Sequence, residues 1–251
     1  MIFIQPDWPA PPNVKACTTT RVGGVSLAPY NELNLALHVG DAKQHVQKNR
    51  TLLKTRLALP SEPIWLEQTH STIVVPATAD NLGKEADATF ASEPNCVCVV
   101  LTADCLPILL CNRAGTHVAA IHAGWRGLAN GIIENTLKTL DLPPEELLAW
   151  LGPAIGPNAF EIGHEVRDLF LKSHPDTEQA FLPSPNGRWL GDLYALASLR
   201  LHTLGITNIY GKPYCTYSDK EQFFSYRRDG SKTGRMASLI WIAEKMDSRK
   251  N

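Results

Sequence analysis

The amino-acid sequence predicts a single domain of the mixed α/β class, and three observations lead to this prediction. Segments with strand-like apolar runs and segments with helical spacing are interspersed along the 251 residues. Apolar residues make up 44% of the chain, which is enough for a sizeable core. No internal repeat, low-complexity tract or change of composition marks a linker, so we assign residues 1–251 to one domain.

The elements before the middle of the chain follow from these patterns in order. Strands are predicted at residues 1–4, 14–20, 64–66, 72–75 and 97–101, with another strand directly after the segment Glu85-Ala86-Asp87-Ala88. A helix capped by Asp41 runs to about residue 57, because Val46, Leu53 and Leu57 lie on one of its faces.

The segment TADCLPILLCNRAGTHVAAIHAGWRGLANG, residues 102–131, is the part around which we expect the chain to be organised. Apolar runs at residues 106–111 and 118–121 flank a polar turn, which predicts a β-hairpin. With the turn centred between Arg113 and Ala114, Cys105 lies opposite His122, and opposed Cβ atoms are about 4.5–5.5 Å apart. Pro107 cannot donate to a ladder and therefore indicates an edge strand or a bulge.

The elements after the hairpin are read in the same way. A helix follows the hairpin, with its apolar positions on one side at Leu128, Ile132, Ile133 and Leu137. Further helices are predicted at residues 165–171 and 192–204, and further strands at residues 147–151, 208–210 and 236–242.

The composition also excludes several classes of function. A formal net charge of −1 provides no long-range attraction to nucleic acid or to a membrane surface. No apolar run approaches the length of about 20 residues that a membrane-spanning helix needs, and the N-terminus lacks the basic region of a signal peptide. Six cysteines at irregular spacing, without a CxxC pair, indicate reduced thiols. We therefore expect a cytoplasmic protein that binds neither nucleic acid nor a membrane.

Three side chains suggest a metal site. Cys105 and His122 come from the hairpin, and His70 follows a predicted strand upstream. Each residue alone has an ordinary structural interpretation, but one Cys and two His supply the three protein ligands that a catalytic zinc usually takes. Asp87 either orients a group of this site or forms a turn. Asp104 faces away from Cys105 in a regular strand, so we expect it to fix a loop.

Five other residues are candidates for substrate binding. The planar guanidinium of Arg21, in a glycine-containing loop, suits a phosphate. Arg227 follows an aromatic segment, an arrangement that suits base stacking beside phosphate binding. The set is completed by His38, Gln68 and Ser225.

Several long motifs resemble one bacterial family. They are LEQTHS, TADCLPILL, AAIHAGWRGLANGI, WLGPAIGP, FEIG and FFSYRRDGSKTGRMAS, and the similarity extends from about Thr18 to Trp241. The family was once labelled polyphenol oxidase or laccase-domain and is now described as zinc-dependent purine nucleoside phosphorylases with adenosine deaminase side activity. It also includes the proteins called peptidoglycan editing factor.

The resemblance implies a layered α/β/β/α sandwich with zinc as the cofactor. It implies His70, Cys105 and His122 as the metal ligands and His38 as a residue of the site wall. The implied substrates are purine nucleosides, among them adenosine, inosine and methylthioadenosine, together with phosphate.

Three hypotheses for the function remain at this point. The first is zinc-dependent phosphorolysis of purine nucleosides, with His70, Cys105 and His122 at the catalytic centre. The second is a cysteine hydrolase that cleaves an amide in a cell-wall precursor, with Cys105 as the nucleophile and His122 as its base. The third is a copper oxidase, which the eight histidines without a His-x-His pair argue against.

Overall fold

The structure is a computed structural model, and it describes residues 1–211 and 213–244. Its helices are α1 (Lys43–Leu57), α2 (Trp125–Asn130), α3 (Ile132–Leu140), α4 (His164–Ser173), α5 (Leu193–Thr203) and α6 (Tyr226–Asp229). Its strands are β1 (Phe3–Ile4), β2 (Val14–Thr19), β3 (Val74–Pro76), β4 (Ala88–Ala91), β5 (Cys98–Thr102), β6 (Leu106–Asn112), β7 (Val118–Ala123), β8 (Leu147–Leu151), β9 (Glu161–Ile162), β10 (Phe181–Pro183), β11 (Trp189–Gly191), β12 (Ile209–Tyr210) and β13 (Met236–Ile242).

Two sheets form the centre of the molecule. A six-stranded sheet has the order β12-β8-β6-β7-β4-β3, and a four-stranded sheet has the order β1-β2-β13-β5. A small three-stranded sheet, β10-β11-β9, lies apart from them in the strand pairing. Most pairs in the two large sheets are antiparallel, and the parallel pairs are β3 with β4 and β8 with β12.

The alternation of side chains along β6 shows how the layers pack. Leu109 points into an apolar cluster shared with Ile240 of the four-stranded sheet, so the two sheets pack face to face. Ile108, on the opposite face of β6, packs in a second cluster with residues of α3, α4 and α5. A third cluster joins Leu53 of α1 to Leu239 on the outer face of the four-stranded sheet. The layered α/β/β/α sandwich and the mixed α/β class are therefore confirmed.

The hairpin is present, but its predicted register is wrong. The turn is centred between Ala114 and Gly115, one residue later than expected, and β6 pairs Pro107 rather than Cys105 with His122. Gly115 adopts a φ of +66° in this turn, a conformation that glycine reaches without steric cost. The side chain of Asn112 accepts hydrogen bonds from the backbone of Thr116 and His117, which fixes the longer loop.

Pro107 lies in a central strand, not at an edge. Its carbonyl accepts a hydrogen bond from Gly152, which follows the last residue of β8. Because the nitrogen and carbonyl of a strand residue face the same neighbour, the proline nitrogen faces the point at which β8 has already ended. The missing donor therefore falls at the end of this ladder, opposite Gly152.

Three other predictions differ from the structure. The helical pattern after the hairpin is two helices, because Gly131 adopts a φ of +99° between α2 and α3. Residues 64–66 are buried, but they lie outside the strands. Ala42 rather than Asp41 is the N-cap of α1, and the Asp41 carboxylate accepts hydrogen bonds from Ser26 and Asn34 instead.

The described helices also bear on the membrane question. None of those within residues 1–211 and 213–244 combines the length and the apolar character that crossing a bilayer requires.

Candidate metal centre

His70, Cys105 and His122 meet at one point near the end of β7. One ligand atom from each residue lies within 4.8 Å of the other two, and Cys105 Sγ lies 3.6 Å from His70 Nε2. The two imidazole rings are 4.8 Å apart between centroids and meet edge to face. His122 is buried, whereas His70 and Cys105 are half-buried. The three predicted ligands are thus brought together from three separate segments.

Cys105 reaches this point because the backbone departs from strand conformation at Asp104, not through strand pairing. Asp104 adopts a φ of +89°, which lies in the left-handed region that non-glycine residues rarely occupy. The Asp104 carboxylate is buried and accepts hydrogen bonds from Thr216 Oγ1 at 2.6 Å, Ser225 Oγ at 3.0 Å and the Arg227 backbone at 2.7 Å. Asp104 therefore fixes the loop that presents Cys105, which is the role expected for it.

Asp87 orients the two histidines. Its Oδ1 accepts a hydrogen bond from Nδ1 of His122 at 2.7 Å, and this leaves Nε2 of His122 to face the centre. The same carboxylate accepts backbone hydrogen bonds from Thr69, His70 and Ser71. These bonds hold His70 at a φ of +62°. Of the two roles open to Asp87, orientation of the site is the one that the structure shows.

Gly124 leaves the space in which the three ligand atoms converge. A Cβ atom at this position would lie 2.6 Å from Cδ2 and 3.0 Å from Nε2 of His70, and 3.1 Å from Sγ of Cys105. The glycine between β7 and α2 is therefore required for close approach to the ligands.

The charges at the centre support one another. Burial alone raises the pKa of the Cys105 thiol, but the adjacent His122 and His70 outweigh it and lower the pKa to about 6. Burial lowers the pKa of His122, but Cys105 and Asp87 have the larger, opposite effect and together raise this pKa to about 9. Burial also raises the pKa of Asp87, and the hydrogen bonds from His122 and Ser71 outweigh this and keep it below its usual value. The group therefore favours a thiolate ligand.

The donor set fits a zinc ion. Zinc takes thiolate sulfur at about 2.3 Å and imidazole nitrogen at about 2.0–2.1 Å in tetrahedral sites, so such donors are separated by about 3.6 Å. This equals the separation between Cys105 Sγ and His70 Nε2. A carboxylate behind a ligating histidine, as Asp87 is behind His122, is a common feature of zinc sites.

A cavity of about 460 Å³ opens onto the three ligands. Its volume is within the range of about 300–1,000 Å³ that is typical of small-molecule sites. Besides the ligands, its walls contain aromatic and cationic side chains: Trp125, Phe160, Tyr226, His38, Arg126, Arg227 and Arg235. None of these three arginines forms an ion pair with a carboxylate of the described residues. The cavity is therefore suited to an anionic ligand with an aromatic part.

Three of the five residues predicted to bind substrate line the cavity. His38 lies in its wall, and burial together with nearby Arg235 and Arg50 lowers the pKa of His38. Arg227 also lines the cavity, and its guanidinium donates to the carbonyl of Glu161. Gln68 lines it too, but both ends of its amide bond the backbone of Leu101. The Gln68 amide thus holds β5 in place, and its hydrogen-bond partners are the N–H and carbonyl of Leu101 in that strand.

The other two residues lie outside the cavity. Arg21 lines a separate open groove and donates to the backbone carbonyls of Asn31 and Lys220. Ser225 is buried and caps α6, where it accepts from the Arg228 backbone and donates to Asp104. Neither residue is brought together with His70, Cys105 and His122.

Sequence reasoning missed two arginines of the cavity. Arg126 follows Trp125, and its guanidinium stacks on that indole with 4.3 Å between Cζ and the ring centroid. Arg235 directly precedes β13 and is half-buried. Both lie in motifs that carry the resemblance, Arg126 in AAIHAGWRGLANGI and Arg235 in FFSYRRDGSKTGRMAS, so a signal was present in the sequence for each of them.

Sequence comparisons match nearly the whole chain to one family and to named relatives. Residues 15–243 match the sequence family described as Multi-copper polyphenol oxidoreductase laccase. Purine nucleoside phosphorylase YfiH of Escherichia coli is 52% identical over 241 residues, which cover 96% of this chain and 98% of that protein. Purine nucleoside phosphorylase of Haemophilus influenzae is 52% identical over 244 residues, or 96% of this chain and 100% of that protein.

Solved structures share the fold. The crystal structure of Neisseria meningitidis protein NMB0706 has a TM-score of 0.92 and 50% identity, covering 96% of this chain and 99% of that one. The crystal structure of YlmD from Geobacillus stearothermophilus has a TM-score of 0.90 and 29% identity, covering 96% of both chains.

Proposed function

The chain belongs to the family described as multi-copper polyphenol oxidoreductase laccase, and we propose that within it the protein is a zinc-dependent purine nucleoside phosphorylase. In this reaction adenosine, inosine or methylthioadenosine reacts with phosphate to give the free base and the corresponding ribose 1-phosphate. The observation that carries the proposal is the His70, Cys105 and His122 group at a cavity that combines aromatic walls with arginines that form no ion pair among the described residues.

The relatives support both substrates. Those described above have purine nucleoside phosphorylase as their names and match nearly the whole chain at 52% identity. A phosphorylase binds a purine nucleoside and phosphate at one site, and the cavity offers a surface for each.

His70, Cys105 and His122 are the residues that would hold the zinc ion. A bound zinc ion would supply Lewis-acid chemistry at this end of the cavity. Asp87 keeps His122 in the tautomer and orientation that metal binding needs.

The reaction itself exchanges one bond for another. An oxygen of hydrogen phosphate forms a bond to C1′ of the ribose as the bond between C1′ and the purine nitrogen breaks. The electron pair of the broken bond stays on the purine, which takes up the proton that the phosphate loses. The residues of this chain therefore have to hold phosphate beside C1′ and position the purine.

The walls of the cavity match these tasks. Trp125, Phe160 and Tyr226 provide ring faces against which a purine can stack. The guanidinium groups of Arg126 and Arg227 supply positive charge for phosphate and for the phosphorylated product. Phosphate and nucleoside are thus recognised by different side chains of the same cavity.

Adenosine deamination is the second activity that we include in the proposal. In that reaction water replaces the amino group at C6 and ammonia is released. The usual zinc-deaminase signature, H-x-E with P-C-x-x-C, is absent from the sequence, so the activity would rest on a different arrangement. Formation of inosine from adenosine without phosphate tests for it.

A cysteine hydrolase is the alternative function. The Cys105 thiolate, His122 and Asp87 are arranged as a nucleophile, a base and an orienting carboxylate. Such a group suits cleavage of an amide in a cytoplasmic precursor of the cell wall. This candidate needs a free thiolate, whereas the phosphorylase needs that thiolate on the metal.

The test is incubation of the metal-analysed protein with inosine, with and without phosphate, and measurement of ribose 1-phosphate. We expect phosphate-dependent product from the parent and none from Cys105→Ala. Cys96→Ala is the matched control, since Cys96 is half-buried and lies outside the cavity. Absence of ribose 1-phosphate from the zinc-loaded parent contradicts the proposal.

A further inference from the structure

The guanidinium of Arg235 is held in place by one of its nitrogens. Nη1 donates to the carbonyl of Thr233 at 2.9 Å and to the carbonyl of Gly234 at 3.0 Å. Nε and Nη2 have no hydrogen-bond partner among the described residues. The remaining Nε–Nη2 edge is a planar pair of donors, which is the geometry that grips two oxygens of a phosphate or a carboxylate.

The backbone of Arg235 is fixed as well. Its N–H donates to Oδ1 of Asn34 at 3.1 Å, and Asn34 is buried. A Cβ atom at Gly234 would lie between 2.5 and 2.8 Å from the ring of Phe224, so only glycine allows this approach. The backbone that carries the Arg235 side chain is therefore held rigidly just before β13. Binding a ligand then costs this side chain little conformational freedom.

The charge of Arg235 is not neutralised by an ion pair within the described residues. Arg235 lines the same cavity as His70, Cys105 and His122. Burial lowers the pKa of this half-buried guanidinium, and the charges of Cys105 and Asp104 partly offset that effect. The Asp104 carboxylate already accepts three hydrogen bonds from Thr216, Ser225 and Arg227. Positive charge thus remains available in the wall of the cavity.

The other arginines are less suited to this task. Arg21 uses Nε and Nη1 to join two loops through their carbonyls, which breaks up its planar pair of donors, and it lies outside the cavity. Arg126 is exposed and stacked on Trp125, so it is less fixed than Arg235. Arg227 has its guanidinium turned to the Glu161 carbonyl.

We propose that Arg235 is the phosphate clamp of the cavity, binding two phosphate oxygens through Nε and Nη2, with Arg126 as a second, more mobile cation. The proposal deepens the phosphorylase function and rests on it for the identity of the anion. The clamp would hold inorganic phosphate before the reaction and the phosphate group of ribose 1-phosphate after it.

Calorimetric titration of the zinc-loaded protein with inorganic phosphate tests the clamp without relying on turnover. We expect Arg235→Gln to weaken phosphate binding about tenfold or more, because a charge-assisted two-donor contact is lost. Arg235→Lys keeps the charge without the planar pair and is expected to bind with intermediate affinity. Arg21→Gln is the matched control and is expected to bind phosphate within about twofold of the parent, since it lies outside the cavity.

Each outcome is decisive for the clamp. The melting temperature and zinc content of every variant are measured first, and weaker binding that is explained by loss of zinc counts against the clamp. Unchanged phosphate affinity in Arg235→Gln, or no phosphate binding by the parent, overturns the proposal. Weak binding in Arg235→Gln together with no ribose 1-phosphate from the parent supports the clamp and rejects the phosphorylase. If the parent catalyses phosphorolysis and Arg235→Gln has the same KM for phosphate as the parent, the phosphorylase is supported and the clamp is overturned.

Discussion

Nδ1 of His122 lies 2.7 Å from Oδ1 of Asp87, and both side chains are buried. This single contact links the hairpin to the segment that carries His70, because the same carboxylate accepts the backbone N–H groups of Thr69, His70 and Ser71. One acidic side chain thus sets the position of two of the three candidate metal ligands.

The first prediction concerns this carboxylate. Asp87→Asn is expected to weaken zinc affinity by about 10–100-fold, because partners behind metal-binding histidines contribute about that much. Competition with a chromogenic chelator measures the affinity. Glu85→Gln is the control, since Glu85 bonds Thr69 Oγ1 but none of the ligands. Equal zinc affinity in Asp87→Asn and the parent would show that the contact has no influence on the centre.

The second prediction concerns Gly124. Gly124→Ala is expected to fold but to lose most of its zinc, because the added methyl group would contact His70 and Cys105 at 2.6–3.1 Å. Elemental analysis with a circular dichroism spectrum makes the comparison. At Gly163 the three atoms nearest to an added Cβ belong to the flexible end of Glu165, so Gly163→Ala serves as the control and should keep its zinc. Full zinc occupancy in Gly124→Ala would disprove the steric argument.

The third prediction concerns Asp104. Asp104→Ala is expected to lower the free energy of unfolding by about 2–4 kcal/mol, because it leaves buried donors unpaired and keeps a strained φ of +89°. Urea denaturation measures the change. Asp141→Ala is the control, because Asp141 also has a positive φ but is exposed, and we expect about 1 kcal/mol or less there. Similar losses in the two variants would contradict the role of Asp104 as the anchor of this loop.

The fourth prediction distinguishes Arg21 from Arg227, to which the sequence analysis assigned the same phosphate-binding role. Arg227→Ala is expected to raise the KM for phosphate more than that for the nucleoside, since Arg227 lines the cavity. Arg21→Ala is expected to lower stability instead, because its bonds to Asn31 and Lys220 join two loops. Initial rates over a matrix of phosphate and inosine concentrations distinguish the two. Were the KM for phosphate to rise in Arg21→Ala alone, the assignment of the cavity would have to be revised.

Local patterns were sufficient for most of the fold. Alternating or continuous apolar runs located β2, β8 and β13 to within a residue, because tertiary packing there agrees with local preference. The layer order came from the family resemblance. The small sheet β9–β11, whose strands have only two or three residues, was missed.

The candidate site was predicted for a partly incorrect reason. Cys105 and His122 were expected to meet as an opposed pair of a hairpin, whereas the register pairs Pro107 with His122. The positive φ of Asp104 brings Cys105 to the centre, and a single backbone dihedral cannot be read from an amino-acid pattern. The position of Arg235 likewise depends on residues distant in sequence, through its own bond to Asn34 and the approach of Gly234 to Phe224.

The alkylation rate of Cys105 with and without a chelator, measured beside inosine phosphorolysis, is the most direct test of zinc catalysis at this centre. Mass spectrometry of iodoacetamide-treated protein follows Cys105, and half-buried Cys215, which lies outside the cavity, serves as the internal reference. We predict slow alkylation of Cys105 until the metal is removed, with phosphorolysis lost on chelation and restored by zinc. Rapid alkylation of the untreated protein, with activity indifferent to the chelator, would contradict zinc catalysis and favour the cysteine hydrolase.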